Sequence, residues 1–192
     1  GWEEKASVTS GRNISYEYIA TTSKTLSSRV EATIQGQNLS TDKTFEIVVR
    51  KPDLTDPLPT WLLPGININD SSSVTLVLEA PGKKYVYAVG DFSNWKYQEQ
   101  YQMTMTPDGK YFWVTLDSLQ PGKDYVYQYW VDGNTKIGDP YAAQVADPWN
   151  DSSIGSVFPG LPSYNKTEYG IATVLNTQPA TYEWGIGETL WQ

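Results

Sequence analysis

Almost everywhere along this chain apolar residues recur at every second position, a period that suits strands and not helices. In Val74–Ala80 one face is Val74, Leu76, Leu78 and Ala80. In Tyr111–Leu116, Phe112, Val114 and Leu116 alternate with Tyr111, Trp113 and Thr115. Tyr125–Val131 sets Tyr125, Tyr127, Tyr129 and Val131 against Val126, Gln128 and Trp130. Aromatics stand on both faces there, so one face is expected in the core and one aromatic set is expected to point outward. Turn residues punctuate the runs at Pro107-Asp108-Gly109, Gln120-Pro121-Gly122 and Asp132-Gly133-Asn134. Glycine and asparagine supply the positive φ of a tight hairpin, and proline presets the preceding corner. No stretch of ten residues free of Gly and Pro has helical periodicity. The pattern predicts an all-β, Ig-like antiparallel β-sandwich preceded by a smaller β segment. Phe112, Val114 and Leu116 are expected to be buried, facing Val74, Leu76 and Leu78 across the sandwich.

Proline divides the chain. Pro52, Pro57, Pro59 and Pro64 interrupt the pattern, which separates a small β segment at 1–52, a linker at 53–65, a sandwich at 66–149 and an extended connector at 150–192. Within the first segment, residues 13–22, 26–35 and 44–50 read as three or four strands with a turn at Gly36-Gln37-Asn38. Such a short piece buries only a thin core, so it reads as part of an Ig-like domain or a small sheet leaning on a neighbour. The connector is rich in Ser, Pro, Gly and Asn, its last eight residues fit no pattern, and no internal repeat is visible.

Several chemistries are excluded by composition. With no Cys and no His, the chain cannot form disulfides, thiolate sites, the usual zinc centres or a histidine-based triad. A net charge of −8 disfavours nucleic acid and anionic membranes as partners. No apolar run approaches the roughly 20 residues of a membrane span. No cofactor and no metal are expected. Asn67–Ser71 alternates oxygen ligands but lacks the glycine and distal glutamate of a calcium loop, and reads better as a polar loop. Glycoside hydrolysis needs two carboxylates roughly 5–9.5 Å apart. Asp132, Asp139 and Asp147 qualify by type, yet Asp132 precedes a turn glycine and the other two precede proline, all ordinary turn chemistry.

The most specific stretch is Tyr87-Ala88-Val89-Gly90-Asp91-Phe92-Ser93-Asn94-Trp95, followed later by Tyr127-Gln128-Tyr129-Trp130-Val131-Asp132-Gly133. Trp95 lies in a polar loop between Asn94 and Lys96. Its indole either caps the edge of the core or offers a flat plate on which the C–H face of a pyranose can stack. Composition alone leaves both open.

Together with Pro107–Trp113 and Asp139-Pro140-Tyr141-Ala142, these motifs resemble the early-set domain of carbohydrate-binding-module family 48, over about residues 66–147. That domain precedes the catalytic barrel in α-amylase-family enzymes (glycoside hydrolase family 13) and forms the glycogen-binding domain of AMP-activated kinase β subunits. The tail, with Asp147-Pro148-Trp149-Asn150-Asp151, Phe158–Leu161, Gly170–Leu175 and Tyr182-Glu183-Trp184, resembles the linker of secreted Bacteroidetes proteins of that family. The resemblance implies glucan stacking on Trp95 with Asn94 beside it. The lysine of the glycogen-binding modules falls on Gln128, one residue pair from Trp130. Their second stacking tryptophan falls at Asn134 to Lys136, where no aromatic stands. A clamp segment is echoed by Ile154-Gly155-Ser156-Val157.

The implied function is a non-catalytic N-terminal region of a secreted starch- or glycogen-acting hydrolase. It would pack on a catalytic barrel absent from this chain, bind α-glucan weakly, and hydrolyse nothing, since such a barrel needs about 250 residues. The location implied is extracellular, periplasmic or cell-surface. A free-standing α-glucan-binding module and a structural Ig-like surface module are the alternatives.

Overall fold

The computed structural model describes residues 6–7, 17–21, 24–51, 54–155, 157, 160–164 and 166–179, and among these the side chains of 24, 25 and 46 are left aside. Phe158, Tyr182–Trp184 and the last eight residues lie outside the described set. The chain divides into two compact units, Gly1–Arg50 and Lys51–Gln192.

In the first unit, β1 (Lys24–Ile34) and β2 (Gln37–Ile47) form one antiparallel hairpin in unbroken register from Lys24↔Ile47 to Ile34↔Gln37. The turn is Gln35-Gly36 at φ 51° and 79°, the double left-handed geometry that matches strand twist, and so lies one residue before the expected position. Residues 17–21 are irregular rather than the expected strand, and 37–43 belong to β2. Leu26, Val30, Ala32, Ile34, Leu39 and Phe45 share one hairpin face, while Arg29 and Asp42 pair on the other at 2.7 and 2.9 Å.

The second unit is all-β, an antiparallel sandwich as the alternation predicts. Its strands are β3 (Gly65–Asp70), β4 (Ser73–Glu79), β5 (Val86–Gly90), β6 (Thr104–Met105), β7 (Tyr111–Leu116), β8 (Tyr125–Val131), β9 (Thr135–Ile137), β10 (Val145–Ala146) and β11 (Ala172–Leu175). One sheet runs β3-β4-β7-β6; the other runs β10-β11-β8-β5, with β9 also on β8. The core lies between them and takes Val74, Leu76, Leu78, Phe112, Val114 and Leu116 from the first sheet and Tyr125, Tyr127, Tyr129 and Val131 from the second. The faces chosen in β4 and β7 are therefore buried, and of the two β8 faces left open by the sequence, the tyrosine row is the one in the core. Their pairing differs from expectation: Phe112, Val114 and Leu116 sit beside Leu78, Leu76 and Val74 on neighbouring strands of one sheet. The residues that oppose both sets come from β5 and β8. Glycines 109, 122 and 133 all carry positive φ, as their turns require.

Two segments outside the expected sandwich are built into it. At 53–65, Thr55 bridges Met105 in parallel, with Met105 N–H donating to Leu54 O at 2.8 Å, and Leu62 is buried. At 150–192, β11 fills a place in the second sheet, pairing Thr173–Leu175 with Tyr127–Tyr125. Alanine, threonine, valine and leucine suit a strand buried on both faces; only the partner strand, distant in sequence, selects that conformation.

Candidate functional site

Strand β5 ends at Gly90 because nothing larger fits. A Cβ there would collide with the Val126 carbonyl oxygen and with Tyr127. The chain then turns through a single 3-10 turn, Asp91–Ser93, closed by Gly90 N–H donating to Ser93 Oγ at 3.0 Å. Asn94 and Trp95 follow at φ 52° and 58°. The left-handed region suits asparagine and strains tryptophan. Two bonds hold Trp95 there: its N–H donates to Gly90 O at 2.9 Å, and its Nε1–H donates to Asp91 Oδ1 at 2.9 Å. The other Asp91 oxygen accepts from Val126 N–H at 2.8 Å, which ties the corner to β8.

This corner aims Trp95 over the outer face of the second sheet. Register puts Tyr87 beside Trp130, Val89 beside Gln128, and Trp130 beside Lys136, so these side chains share that face. The expectation that one aromatic set points into solvent is corrected: Tyr125, Tyr127 and Tyr129 are in the core, and Trp130 on the opposite face is only 6% exposed. The cover is the chain's own connector. Tyr169 stacks on Trp95 at 5.5 Å between centroids and 20° between planes, and meets Trp130 edge-on at 5.4 Å. Tyr164 lies 5.4 Å from Trp95, and Tyr97 packs edge-on against Trp130 and Tyr87 at 4.7 and 5.1 Å. Trp95, for which the sequence left a core-edge cap and a sugar plate both open, is 8% exposed.

Polar groups lock the cover in place. Gln128 Nε2 donates to Tyr169 O at 2.7 Å and Ile171 O at 2.8 Å, and its Oε1 accepts weakly from Trp130 Nε1–H at 3.4 Å. The amide fills the gap along β8 between the start of β11 and the end of β9. Lys136 Nζ stands 3.6 Å from the Tyr169 ring centroid and 4.3 Å from that of Trp130. Burial against these rings lowers its pKa, with Glu168 opposing. Lys166 lies 5.6 Å from both Trp95 and Tyr169. The Tyr164 hydroxyl is buried with no hydrogen-bond partner among the described residues, and burial pushes its pKa up to about 12.

The structure thus gathers Trp95, Gln128, Trp130 and Lys136 on one face, with Asn94 exposed at its corner. Asn134 sits at the exposed tip of the β8–β9 hairpin, accepting from Thr135 Oγ1–H at 3.0 Å. Ile154 ends a four-residue helix, Asp151–Ile154. Neither makes a ring contact or hydrogen bond to the cluster among the described residues. Tyr97, Tyr164, Lys166 and Tyr169 were not singled out by sequence reasoning. The available signal was the pair of tyrosines flanking Lys166 in the polar stretch of the connector, since aromatic rings in such a stretch gain most by burial.

The three aspartates each brace the backbone or a buried hydroxyl. Asp132 Oδ1 accepts from Lys84 and Tyr85 N–H at 2.8 and 3.2 Å. Asp147 accepts from Trp149 N–H at 2.9 Å and Asn150 Nδ2–H at 2.7 Å; these bonds, the Asn150 side chain first, hold its pKa below the ordinary value. Asp139 is 5% exposed, and its Oδ2 accepts from Tyr127 and Tyr129 hydroxyls at 2.9 and 3.0 Å. Asn67 and Asn69 bond along the β3–β4 ladder rather than lining a cation loop. No group of three His, Cys, Asp or Glu suited to a metal ion occurs among the described residues.

No family model and no curated protein matches the chain. Among solved structures it is similar to a Salmonella typhimurium protein assigned as an alpha amylase, with TM-score 0.41 and 17% identity over 65% of this chain and 16% of that one. It is also similar to the catalytic module of SpuA, a glycogen-degrading pneumococcal virulence factor, with TM-score 0.39 and 20% identity over 58% of this chain and 16% of that one. The chain therefore spans about a sixth of the length of either structure.

Proposed function

We propose that this chain is a non-catalytic accessory region of a secreted α-amylase-family hydrolase acting on starch or glycogen, with a scaffold role and only weak binding of α-glucan. The motif order from Gly90–Trp95 to Asp139–Ala142 supports the family reading. The observation that carries the scaffold role is Tyr169 stacked on Trp95, with Gln128 spent on the Tyr169 and Ile171 carbonyls. Trp95 and Gln128, which the resemblance assigns to a sugar, are already engaged by the connector. Trp61, Leu63, Tyr141 and Trp149 stand exposed and give apolar area for packing against a catalytic barrel.

Two measurements on the purified chain test this. It is expected to release no reducing sugar from starch, pullulan or glycogen between about pH 4 and pH 9. Calorimetric titration with maltoheptaose is expected to give a Kd no tighter than about millimolar, near −4 kcal/mol. Turnover, or micromolar binding by the unmodified chain, overturns the reading and favours an enzyme or a free-standing binding module.

A further inference from the structure

The connector offers the outer face of β8 what a pyranose would offer it. Tyr169 lays a flat ring on Trp95, tilted by 20°. The Tyr169 carbonyl oxygen sits 2.7 Å from Gln128 Nε2, where a hydroxyl oxygen of a sugar could accept the same bond, while Ile171 O, at 2.8 Å, lies beyond Gly170 beside β11. Lys136 covers the Tyr169 ring at 3.6 Å. Each contact made by Tyr169 is one a ring-shaped, hydroxyl-rich ligand can replace in kind.

The same segment meets the sheet at a glycine. Gly170 adopts φ 79°, ψ −160°, a combination that side-chain-bearing residues avoid. Immediately beyond it, β11 is fixed by ladders to β8 and β10. The part carrying Tyr164, Lys166 and Tyr169 can swing about Gly170 while the sheet stays paired. Closing it buries the Tyr164 hydroxyl with no partner among the described residues, a desolvation cost that opening removes.

We propose that Tyr164, Lys166 and Tyr169 form a displaceable latch over an α-glucan face, and that glucan reaches Trp95, Gln128 and Trp130 only when the latch swings away. This rests on the α-amylase-family reading above. A site competent in only a fraction of molecules binds more weakly by that fraction, so loosening the latch tightens the observed affinity.

The test uses the whole chain and maltoheptaose. In Tyr164→Ala/Tyr169→Ala, acrylamide quenching of tryptophan fluorescence is expected to rise, and maltoheptaose is expected to bind at least about tenfold tighter than to the unmodified chain. Adding Trp95→Ala is expected to abolish that gain. In the unmodified chain, saturating maltoheptaose is expected to speed tryptic cleavage after Lys166. Increased quenching with unchanged affinity overturns the latch, and so does unchanged quenching. Cleavage after Lys166 that maltoheptaose leaves unaltered or slows also overturns it, and this arm decides the matter if the double variant does not fold. The accessory-region reading fails by a different sign, release of reducing sugar by the unmodified chain.

Discussion

At Asp139 one carboxylate oxygen accepts from two tyrosine hydroxyls inside the sandwich, while the other accepts from Tyr141 N–H at 2.8 Å. Asp139 N–H in turn donates to Thr173 Oγ1 at 2.6 Å, so this residue joins β8, β11 and the loop after β9. Burial first, and the nearby charges after it, raise both tyrosine pKa values well above the ordinary value. Removing the acceptor leaves two buried hydroxyls unsatisfied, each costing about 1–3 kcal/mol. Asp139→Ala is therefore expected to lower stability by about 3 kcal/mol in urea unfolding at unchanged m-value. A loss below about 1 kcal/mol would show that water replaces the carboxylate. At Phe112, fully enclosed between the sheets, truncation to alanine is expected to cost about 3–5 kcal/mol. A cost near zero in the same assay would contradict its place in the core. Asp139 was legible as a chemistry-bearing residue, but its neighbour Pro140 argued only for a turn. The two tyrosines that define its role lie on another strand.

Among the elements, the latch has its own pH dependence. An ordinary tyrosine loses its proton near pH 10, whereas Tyr164 under the closed latch keeps its proton to about 12. Closure is fully supported below pH 10 and loses that support as pH rises from 10 towards 12. Tryptophan quenching by acrylamide is expected to increase over that window and to do so less in Tyr164→Phe. An equal rise in both would assign the change to other tyrosines. The same substitution deletes a buried hydroxyl with no partner, so Tyr164→Phe is expected to raise stability by about 1 kcal/mol. A drop in Tm would show that the hydroxyl does have a partner. The hairpin β1–β2 poses the opposite situation, an alternating sequence with one apolar face formed by Leu26, Val30, Ile34, Leu39 and Phe45. Two strands alone are marginal in water, so its order depends on more than its own ladder.

For the molecule as a whole, the boundary that matters lies beyond the connector's polar stretch. Thr177 Oγ1–H donates to Ser71 O at 2.7 Å, and Asn176 Nδ2–H donates to Asp124 Oδ1 at 2.7 Å, which fastens the segment after β11 to both sheets. A fragment ending at Trp149 loses β11 and uncovers Gln128, Trp130 and an edge of β8, and is expected to aggregate or unfold. A fragment spanning residues 51–179 keeps every one of these contacts and is expected to unfold cooperatively. Equal solubility and equal thermal transitions for the two fragments would show that the connector is dispensable.

The alternation in β4, β7 and β8 settles the fold class from sequence alone, and in β4 and β7 the core face as well, because a period of two fixes which side chains share a face whatever strand lies alongside. Turn positions at Gly109, Gly122 and Gly133 follow from the same local cause, since positive φ is a property of the residue itself. What covers the outer face of β8 has no local signature. Trp95, Gln128 and Trp130 carry the same chemistry whether a sugar or a tyrosine stacks on them. Only tertiary structure, by bringing Tyr169 to within 5.5 Å of an indole far away in sequence, decides which of the two is already there.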